Sequence, residues 1–248
     1  MTLLHLSRGR LLFLAGAIVT ITRQPVAAGA QSAADSADTR GLPLIEVPAT
    51  PSGGGTIALF LSGDGGWAGI DKQMARTFAD GGVAVVGVNL KSYLGTRRTP
   101  EAVAADMSRV LRRYLTLWGG KRLIVVGYSR GADIAPFIVN RLPEDLKSRV
   151  DLVAMLGLGE HAGFYVNLFS LLHTATKSSD PPVRPELELL RQAGIRMLCI
   201  YGTQEKESLC RDAQEGLMTR VAKNGAHHFD GDHPALATQI LAQLFAPE

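Results

Sequence analysis

The sequence predicts an α/β fold in which a mostly parallel sheet is covered by helices on both faces. From residue 56 onward, short apolar runs alternate with segments of helical periodicity, as expected when each strand is followed by a helix. Most of the apolar runs are uninterrupted by polar residues, which is typical of strands buried on both faces. Because such sheets bind ligands at the carboxyl ends of their strands, the segments that follow the strands are the candidate sites.

The predicted elements follow from these runs and from local start and stop signals. Pro48 and Pro51 end the first strand and mark it as an edge strand. Thr99 and Pro100 provide a cap and a first turn for the longest helix. Strands are predicted at 44–47, 56–61, 83–88, 122–126, 152–156 and 197–201, with a possible last strand at 218–222. Helices are predicted at about 70–80, 100–117, 131–141, 185–193 and 234–245.

The composition fits one globular domain. The chain has 248 residues, of which 46% are hydrophobic and 20% are charged. Its pI of about 9.0 suggests a nucleic-acid or membrane-surface partner. However, the first 30 residues contain Arg8, Arg10 and Arg23 and no acid. Without these three arginines, the 26 Lys and Arg residues of the chain become 23, which equals the number of Asp and Glu residues. We therefore predict no nucleic-acid partner.

The first 30 residues predict a cleaved export signal. They combine a basic start, an apolar run from Leu11 to Ile21 and small residues at 28–30. The run is short for a membrane span, although an uncleaved N-terminal anchor is an alternative. We expect a periplasmic protein with a signal at 1–30, a flexible polar lead-in at 31–42 and one domain at 43–248.

The two cysteines predict a disulfide bond. Cys199 ends a predicted strand, and Cys210 lies eleven positions later, beyond the following loop. An oxidising compartment would allow the two thiols to join. The alternative is a buried thiol at Cys199 and an unrelated surface thiol at Cys210.

Residues 127–131 have the pattern G-x-S-x-G between a predicted strand and a predicted helix. A nucleophilic serine on such a sharp turn brings neighbouring backbone so close that side chains at Gly127 and Gly131 would clash. The helix behind it favours developing negative charge. The pattern therefore predicts Ser129 as a nucleophile, and an ordinary strand-to-helix turn is the alternative.

The glycine-rich segment 62–67 follows the strand 56–61 and suits an oxyanion hole. Its three glycines leave backbone N–H groups accessible. We expect one donor from Asp64 or Gly65 and the other from the amide of Arg130, directly after the nucleophile. A tight turn without catalytic meaning is the alternative.

The acid and the base of a serine triad are predicted downstream. Glu205 follows a strand and a glycine turn, where the acid of this chain order lies, with Glu207 in reserve. It would hold the imidazole in the correct tautomer. Between the adjacent histidines His227 and His228, we favour His228 as the base, because an aromatic residue that can pack it follows, and keep His227 as the alternative.

A zinc site is the competing interpretation of the same segment. Its ligands would come from His227, His228 and His233 with Asp230 or Asp232. Adjacent histidines rarely both bind one ion, and H-E-x-x-H is absent. We therefore predict neither a metal nor another cofactor.

The chain resembles the VirJ/AcvB group of bacterial periplasmic proteins, a branch of the α/β-hydrolase superfamily. The resemblance spans essentially residues 56–245 and rests on S-G-D-G-G-W (62–67), R-T-P-E (98–101), G-Y-S-R-G-A-D (127–133), Y-G-T-Q-E (201–205) and H-H-F-D-G-D (227–232). It implies an α/β-hydrolase fold. The chain departs from the group after strand 83–88, where residues 91–94 replace a more aromatic stretch.

The resemblance implies two roles. AcvB-like proteins look like hydrolases that remove the aminoacyl group from lysyl-phosphatidylglycerol, and VirJ-like proteins are linked to type IV secretion of DNA–protein substrates. We expect a periplasmic serine hydrolase acting on an aminoacylated phospholipid at the membrane surface, with secretion-system proteins as further partners. The alternatives are a general carboxylesterase or thioesterase and a non-catalytic accessory factor of secretion.

Charged side chains near the predicted site could recognise such a lipid. Cations could bind its phosphodiester and acids its amines, although a basic or acidic loop is usually solvated surface. The candidates for substrate binding are Asp64, Lys91, Tyr93, Arg97, Arg98, Asp133, His227 and Asp230. Asp133 also fits a charge at a helix start. The long loop 159–182, rich in apolar residues, could cover the site, face lipid or belong to the core.

Overall fold

The structure is a computed structural model that describes residues 39–50, 55–166, 180–211 and 214–245. The predicted export signal and most of the predicted lead-in lie outside these ranges. Residues 39–42, the end of the lead-in, form a turn in which the Leu42 N–H donates to the Thr39 carbonyl oxygen over 3.3 Å. None of the helices in the described ranges has the length and apolar character needed to cross a bilayer.

The described strands form one seven-stranded sheet. They are β1 (Leu44–Val47), β2 (Thr56–Leu61), β3 (Ala84–Val88), β4 (Arg122–Tyr128), β5 (Val150–Leu156), β6 (Met197–Gly202) and β7 (Thr219–Lys223). Their order across the sheet is β1-β3-β2-β4-β5-β6-β7. The edge strand β1 pairs antiparallel with β3, and every other pair is parallel. The predicted mostly parallel sheet, its edge strand and its last strand are confirmed.

Helices connect most of the parallel strands, as predicted. The α-helices of the described residues are α1 (Gly69–Asp80), α2 (Leu90–Tyr93), α3 (Pro100–Leu117), α4 (Arg130–Asn140), α5 (Glu144–Lys147), α6 (Arg184–Gln192) and α7 (His233–Leu244). The predicted cap of α3 is present, because the Thr99 side chain accepts a hydrogen bond from the Ala102 N–H over 3.2 Å. The short helices α2 and α5 were not predicted, since four residues are too few to show a helical period.

Two hydrophobic layers cover the sheet, one on each face. Successive residues of a strand point to opposite faces, so Leu59 and Val125 pack on one side, whereas Phe60 and Val126 pack on the other. The first layer includes apolar residues of α3, α4 and α6, and the second includes those of α1 and α7. Burial on both faces explains the uninterrupted apolar runs. The parallel pairing places the carboxyl ends of β2, β4, β5, β6 and β7 along one edge of the sheet.

Two apolar side chains of the predicted loop 159–182, Phe164 and Val166, belong to the core. Phe164 and Val166 are buried, and the Val166 N–H donates to the Leu94 carbonyl oxygen over 2.8 Å. Phe164 also packs edge-on against Phe137, with ring centroids 5.4 Å apart. These contacts exclude a lipid-facing role for residues 164 and 166, while the apolar residues at 168–172 lie outside the described ranges.

The predicted disulfide joins Cys199 in β6 to Cys210 in the loop that follows. Both residues are fully buried. The bond closes the segment that carries Glu205 halfway along its length, so it restrains the loop that would present the triad acid.

Removal of this disulfide is expected to lower the free energy of unfolding by about 2–3 kcal/mol, the loop entropy of an eleven-residue closure. Thermal unfolding of the wild type with and without a reductant measures this change. The reduced wild type retains both sulfur atoms in the core, so it isolates the cross-link from packing. The variant with both Cys199→Ala and Cys210→Ala is the control: a reductant that lowered its melting temperature as well would contradict the assignment.

Candidate active site

Ser129 sits at the turn between β4 and α4 in a strained backbone conformation, with φ 53° and ψ −119°. Such angles are uncommon for a residue with a Cβ and persist where the surroundings enforce them. The Ser129 N–H donates to the Leu156 carbonyl oxygen over 2.8 Å, and the Ser129 carbonyl oxygen accepts from the Asp133 N–H over 3.1 Å. The strand on one side and the helix on the other therefore fix the serine at the apex.

Close backbone contacts explain the two glycines of the turn. A Cβ at Gly127 would lie 2.3 Å from the Gly131 carbonyl oxygen, and a Cβ at Gly131 would lie 2.1 Å from the Leu61 carbonyl oxygen. Neither distance leaves room for a methyl group. The steric reason predicted for G-x-S-x-G is confirmed, and the turn has the geometry of a nucleophile elbow.

The glycine-rich segment 62–67 lies beside Ser129, as predicted. A Cβ at Gly63 would lie 3.5 Å from the Ser129 Cβ, and the Gly66 N–H donates to the Gly63 carbonyl oxygen over 3.1 Å, which closes a tight turn. Within the described ranges, no protein acceptor is recorded for the N–H groups of Asp64, Gly65 and Arg130. These amides are therefore available to stabilise an oxyanion.

The Glu205 carboxylate forms a direct hydrogen bond with His227 Nδ1. Its other oxygen accepts the Gly202 N–H over 2.9 Å, so the glycine turn after β6 orients the acid. A Cβ at Gly157 would lie 2.6 Å from His227 Cε1 and 3.2 Å from Glu205 Oε1. Gly157 directly follows Leu156, the hydrogen-bond partner of Ser129. The pair follows β6 and β7 and the serine follows β4, so the end of β5 lies between them.

The preference for His228 as the partner of the acid is wrong, and His227 takes this position. The Phe229 N–H donates to the Ala226 carbonyl oxygen over 3.0 Å, which makes the two histidines the central residues of a β-turn, where successive side chains diverge. His228 Nδ1 instead lies 2.7 Å from the Tyr128 hydroxyl. Phe229 is buried. Its burial anchors the turn as a whole and does not determine which of the two histidines faces Glu205. Glu207, the reserve acid, is exposed.

The Glu205–His227 pair shifts both pKa values in the directions that a triad requires. The hydrogen bond that His227 donates to the Glu205 carboxylate is the main cause that raises the pKa of His227, against the opposing effect of burial. Burial alone would raise the pKa of Glu205, but the hydrogen bonds from His227 and Gly202 outweigh it and lower this pKa. The pair therefore favours an ionised acid and a more basic imidazole.

Two of the predicted substrate-binding residues are structural instead. Tyr93 is buried, and its hydroxyl donates to Asp106 over 2.5 Å. Arg98 donates to the same carboxylate over 3.2 Å and to the Tyr93 carbonyl oxygen over 3.0 Å. Both side chains are therefore held by Asp106 of α3. Arg97, in contrast, is exposed and lies 4.9 Å above the Tyr165 ring.

The other predicted substrate-binding residues differ in their exposure and in the groups that they contact. Lys91 is exposed, and its Cβ lies 3.2 Å from the position of a Gly66 Cβ, beside the oxyanion loop. Asp133 is buried and accepts the Gly159 N–H over 2.8 Å, and burial raises its pKa to about 7. Asp230 lies against Gly225 in the turn after β7. Its carboxylate therefore supports the histidine loop.

Two of the ligands proposed for zinc have other partners in the structure. His227 faces Glu205, and His228 faces Tyr128. Within the part of the chain that the structure describes, no group of three or more His, Cys, Asp or Glu side chains is arranged to hold a metal ion.

Sequence reasoning did not identify Tyr128 as a site residue. Its hydroxyl lies 3.3 Å from the His227 carbonyl oxygen as well as near His228, and its ring centroid lies 5.3 Å from that of His227. The residue therefore supports the histidine loop from the strand that carries Ser129. Its position inside G-x-S-x-G was the available signal, but that position varies in the pattern and carries no chemical requirement.

Comparison with solved structures gives the same fold at low identity. The thioesterase domain from the curacin biosynthetic pathway is 17% identical, with a TM-score of 0.55 over 80% of this chain and 94% of that chain. Est1E from Butyrivibrio proteoclasticus with bound ferulic acid is 12% identical, with a TM-score of 0.58 over 84% and 98%. MenH from S. aureus is 13% identical, with a TM-score of 0.57 over 81% and 97%.

These similarities establish the α/β-hydrolase fold, and they carry no information on substrate at such identities. No curated protein matches the sequence. The family described as bacterial virulence protein VirJ matches residues 55–247, most of the chain. The resemblance inferred from the motifs is therefore confirmed: the chain belongs to the VirJ family and has the α/β-hydrolase fold.

Proposed function

We propose that the protein is a serine-type ester hydrolase with Ser129, His227 and Glu205 as its triad. The observation that carries this proposal is the Glu205–His227 hydrogen bond at the end of the sheet where Ser129 occupies a strained elbow. The acid, the base and the nucleophile come from three separate strand ends. A binding protein would need neither the strained serine nor the oriented imidazole.

The reaction would proceed through an acyl-enzyme. His227 Nε2 takes the proton of the Ser129 hydroxyl while the serine oxygen attacks the ester carbonyl carbon. The amides of Arg130 and of Asp64 or Gly65 stabilise the negative oxygen of the tetrahedral intermediate. His227 then gives its proton to the departing alcohol, and the acyl group stays on Ser129. A water molecule, deprotonated by His227, releases the acid and restores the serine.

The substrate we propose is the aminoacyl ester of a phospholipid, with lysyl-phosphatidylglycerol as the first choice. Such an ester carries ammonium groups on its acyl side and an anionic phosphodiester on its alcohol side. The Asp64 carboxylate belongs to the loop beside Ser129 and is partly exposed, so it could pair with the ammonium group. The proposal includes a periplasmic location and action at the membrane surface, as the resemblance to the VirJ/AcvB group implies.

Vesicles that contain lysyl-phosphatidylglycerol test the substrate directly. The wild type is expected to release free lysine and phosphatidylglycerol, detected by mass spectrometry, and the Ser129→Ala protein is expected to release neither. Vesicles of unmodified phosphatidylglycerol and the soluble ester 4-nitrophenyl butyrate serve as comparisons. Rapid cleavage of the soluble ester without release of lysine would instead identify a general carboxylesterase. Inactivity on every ester would favour the accessory role in secretion.

A further inference from the structure

Arg130 has a buried guanidinium group with no hydrogen-bond partner in the described residues. Only 7% of the residue is exposed, and its Nε is buried without a partner. Its one recorded ion pair is with Asp64, where Nη2 and Oδ2 are 3.9 Å apart, too far for a hydrogen bond. Among the lysines and arginines of the described ranges, it is the only buried one.

Two other arginines of this chain show how a guanidinium with a structural role is hydrogen-bonded. Arg141 donates to Glu186 over 2.8 Å and to the Phe137 carbonyl oxygen over 3.1 Å. Arg98 is satisfied by Asp106 and Tyr93. The Nε–H group of Arg130 has lost its hydration without gaining such a partner, which is unfavourable. A partner that arrives with the substrate would remove this penalty.

The guanidinium lies between the oxyanion loop and the segment after β5. Asp64 belongs to the loop whose Gly63 contacts Ser129, so the Asp64 contact places Arg130 beside the reacting serine. On the other side, a Cβ at Gly163 would lie 2.2 Å from Arg130 Nη1 and 3.1 Å from Asp180 Oδ2. The backbone of Gly163 therefore covers one side of the charged group.

Three acids of the described ranges lie around Arg130, namely Asp64, Asp133 and Asp180, and none of them forms a hydrogen bond with its guanidinium group. Asp64 approaches only to 3.9 Å. Asp133 interacts electrostatically with Arg130, but burial raises its pKa to about 7, so it is partly protonated near neutral pH. The amide ends of α4 add positive partial charge at the same place, because the helix begins at Arg130. The unpaired Nε–H group and the positive end of this helix are therefore the features that an anion would engage.

We propose that the Arg130 side chain binds an anionic oxygen group of the ester substrate, a phosphate or a carboxylate, beside the carbonyl that Ser129 attacks. This inference rests on the proposed ester hydrolase and assigns Arg130 a second role, since its backbone amide serves the oxyanion hole whatever its side chain is. The planar guanidinium presents its N–H donors side by side, which suits two oxygens of one phosphate or carboxylate group. Within the proposed lipid substrate, the group is the phosphodiester on the alcohol side.

Two matched pairs of esters test the proposal. The first pair is 1-butyrylglycerol and 1-butyrylglycerol 3-phosphate, which differ in an anion on the alcohol side. The second is 4-nitrophenyl butyrate and 4-nitrophenyl hemisuccinate, which differ in an anion on the acyl side. In Arg130→Gln, kcat/KM is expected to fall by about 10- to 100-fold for the phosphate ester, the effect of a lost charged hydrogen bond, and by less than about threefold for the neutral partner. Selective loss for the hemisuccinate alone would assign a carboxylate on the acyl side.

A second variant moves the guanidinium without replacing it. In Gly163→Ala the new methyl group would overlap Nη1, and the arginine head, as the flexible end of a side chain, is expected to shift. Gly163→Ala should therefore show the same selective loss as Arg130→Gln. Arg76→Gln removes an equal charge from an exposed position of α1 and should leave both members of each pair unaffected. Melting temperatures of all variants monitor folding.

Equal losses for charged and neutral esters in both variants would overturn the inference, and so would unchanged rates. If no ester is hydrolysed at all, the proposed function fails, and binding still decides the role of Arg130. Calorimetric titration of the Ser129→Ala protein with glycerol 1-phosphate should then show binding that is weakened about 10- to 100-fold by adding Arg130→Gln. Undetectable binding, or binding that both proteins share equally, would refute the anion subsite.

Discussion

Replacement of His227 by alanine is expected to lower kcat for ester hydrolysis by about 10⁶-fold, the loss seen when a serine hydrolase is deprived of its base. The same replacement at His228 should lower it by less than about tenfold, because its loss leaves an intact triad and removes one hydrogen bond of the supporting loop. The reason is the geometry of the turn: His227 faces the Glu205 carboxylate, whereas His228 faces the Tyr128 hydroxyl.

Steady-state kinetics with one soluble ester measure the two variants side by side. The Ser129→Ala protein should be as inactive as His227→Ala, and the variant that carries both changes should be no worse, because residues that act as a unit do not contribute additively. Since the side chain of His227 is partly exposed, the folded state should tolerate its loss, and melting temperatures check this. A His228→Ala protein as inactive as His227→Ala would contradict the assignment.

The choice between these histidines shows where sequence reasoning reached its limit. The chain order of Ser129, Glu205 and a histidine pair follows from strand ends and glycine turns, and the structure brings Ser129, Glu205 and His227 to one edge of the sheet. Which of the two neighbours faces the acid depends on the conformation of the turn from Ala226 to Phe229. No periodicity or motif carries that information.

The contacts of the predicted substrate-binding residues were also hard to predict, because they too depend on how the chain packs in three dimensions. The basic character of the segment after β3 suggested an anion site, but Arg98 in this segment donates to Asp106. Arg130, in contrast, was identified only through its backbone amide, since nothing in the sequence shows that its side chain is buried without a hydrogen bond. Pairing among charged side chains is a property of the packed structure. The sheet could be predicted without knowledge of such pairs, because burial on both faces gives its strands uninterrupted apolar runs.

The Glu205→Gln variant is expected to lose about 10⁴-fold in kcat, the effect known for a triad acid replaced by its amide. The Gln side chain fits the same space, but its amide group can donate to His227 Nδ1 and so stabilise the wrong tautomer. Glu207→Gln makes the matched change at an exposed position of the same loop and should keep full activity.

The pH profile separates this loss from simple damage. His227 accepts the serine proton only when it is neutral, so activity falls as the pH drops through its pKa. The hydrogen bond that the imidazole donates to the Glu205 carboxylate is the main cause that raises this pKa above its ordinary value of 6.5. In Glu205→Gln the residual kcat/KM should therefore keep its plateau to lower pH than in the wild type. An acid limb that stays in place while kcat falls would show that Glu205 does not act through His227, because removal of a bound carboxylate must lower the pKa of the imidazole it contacts.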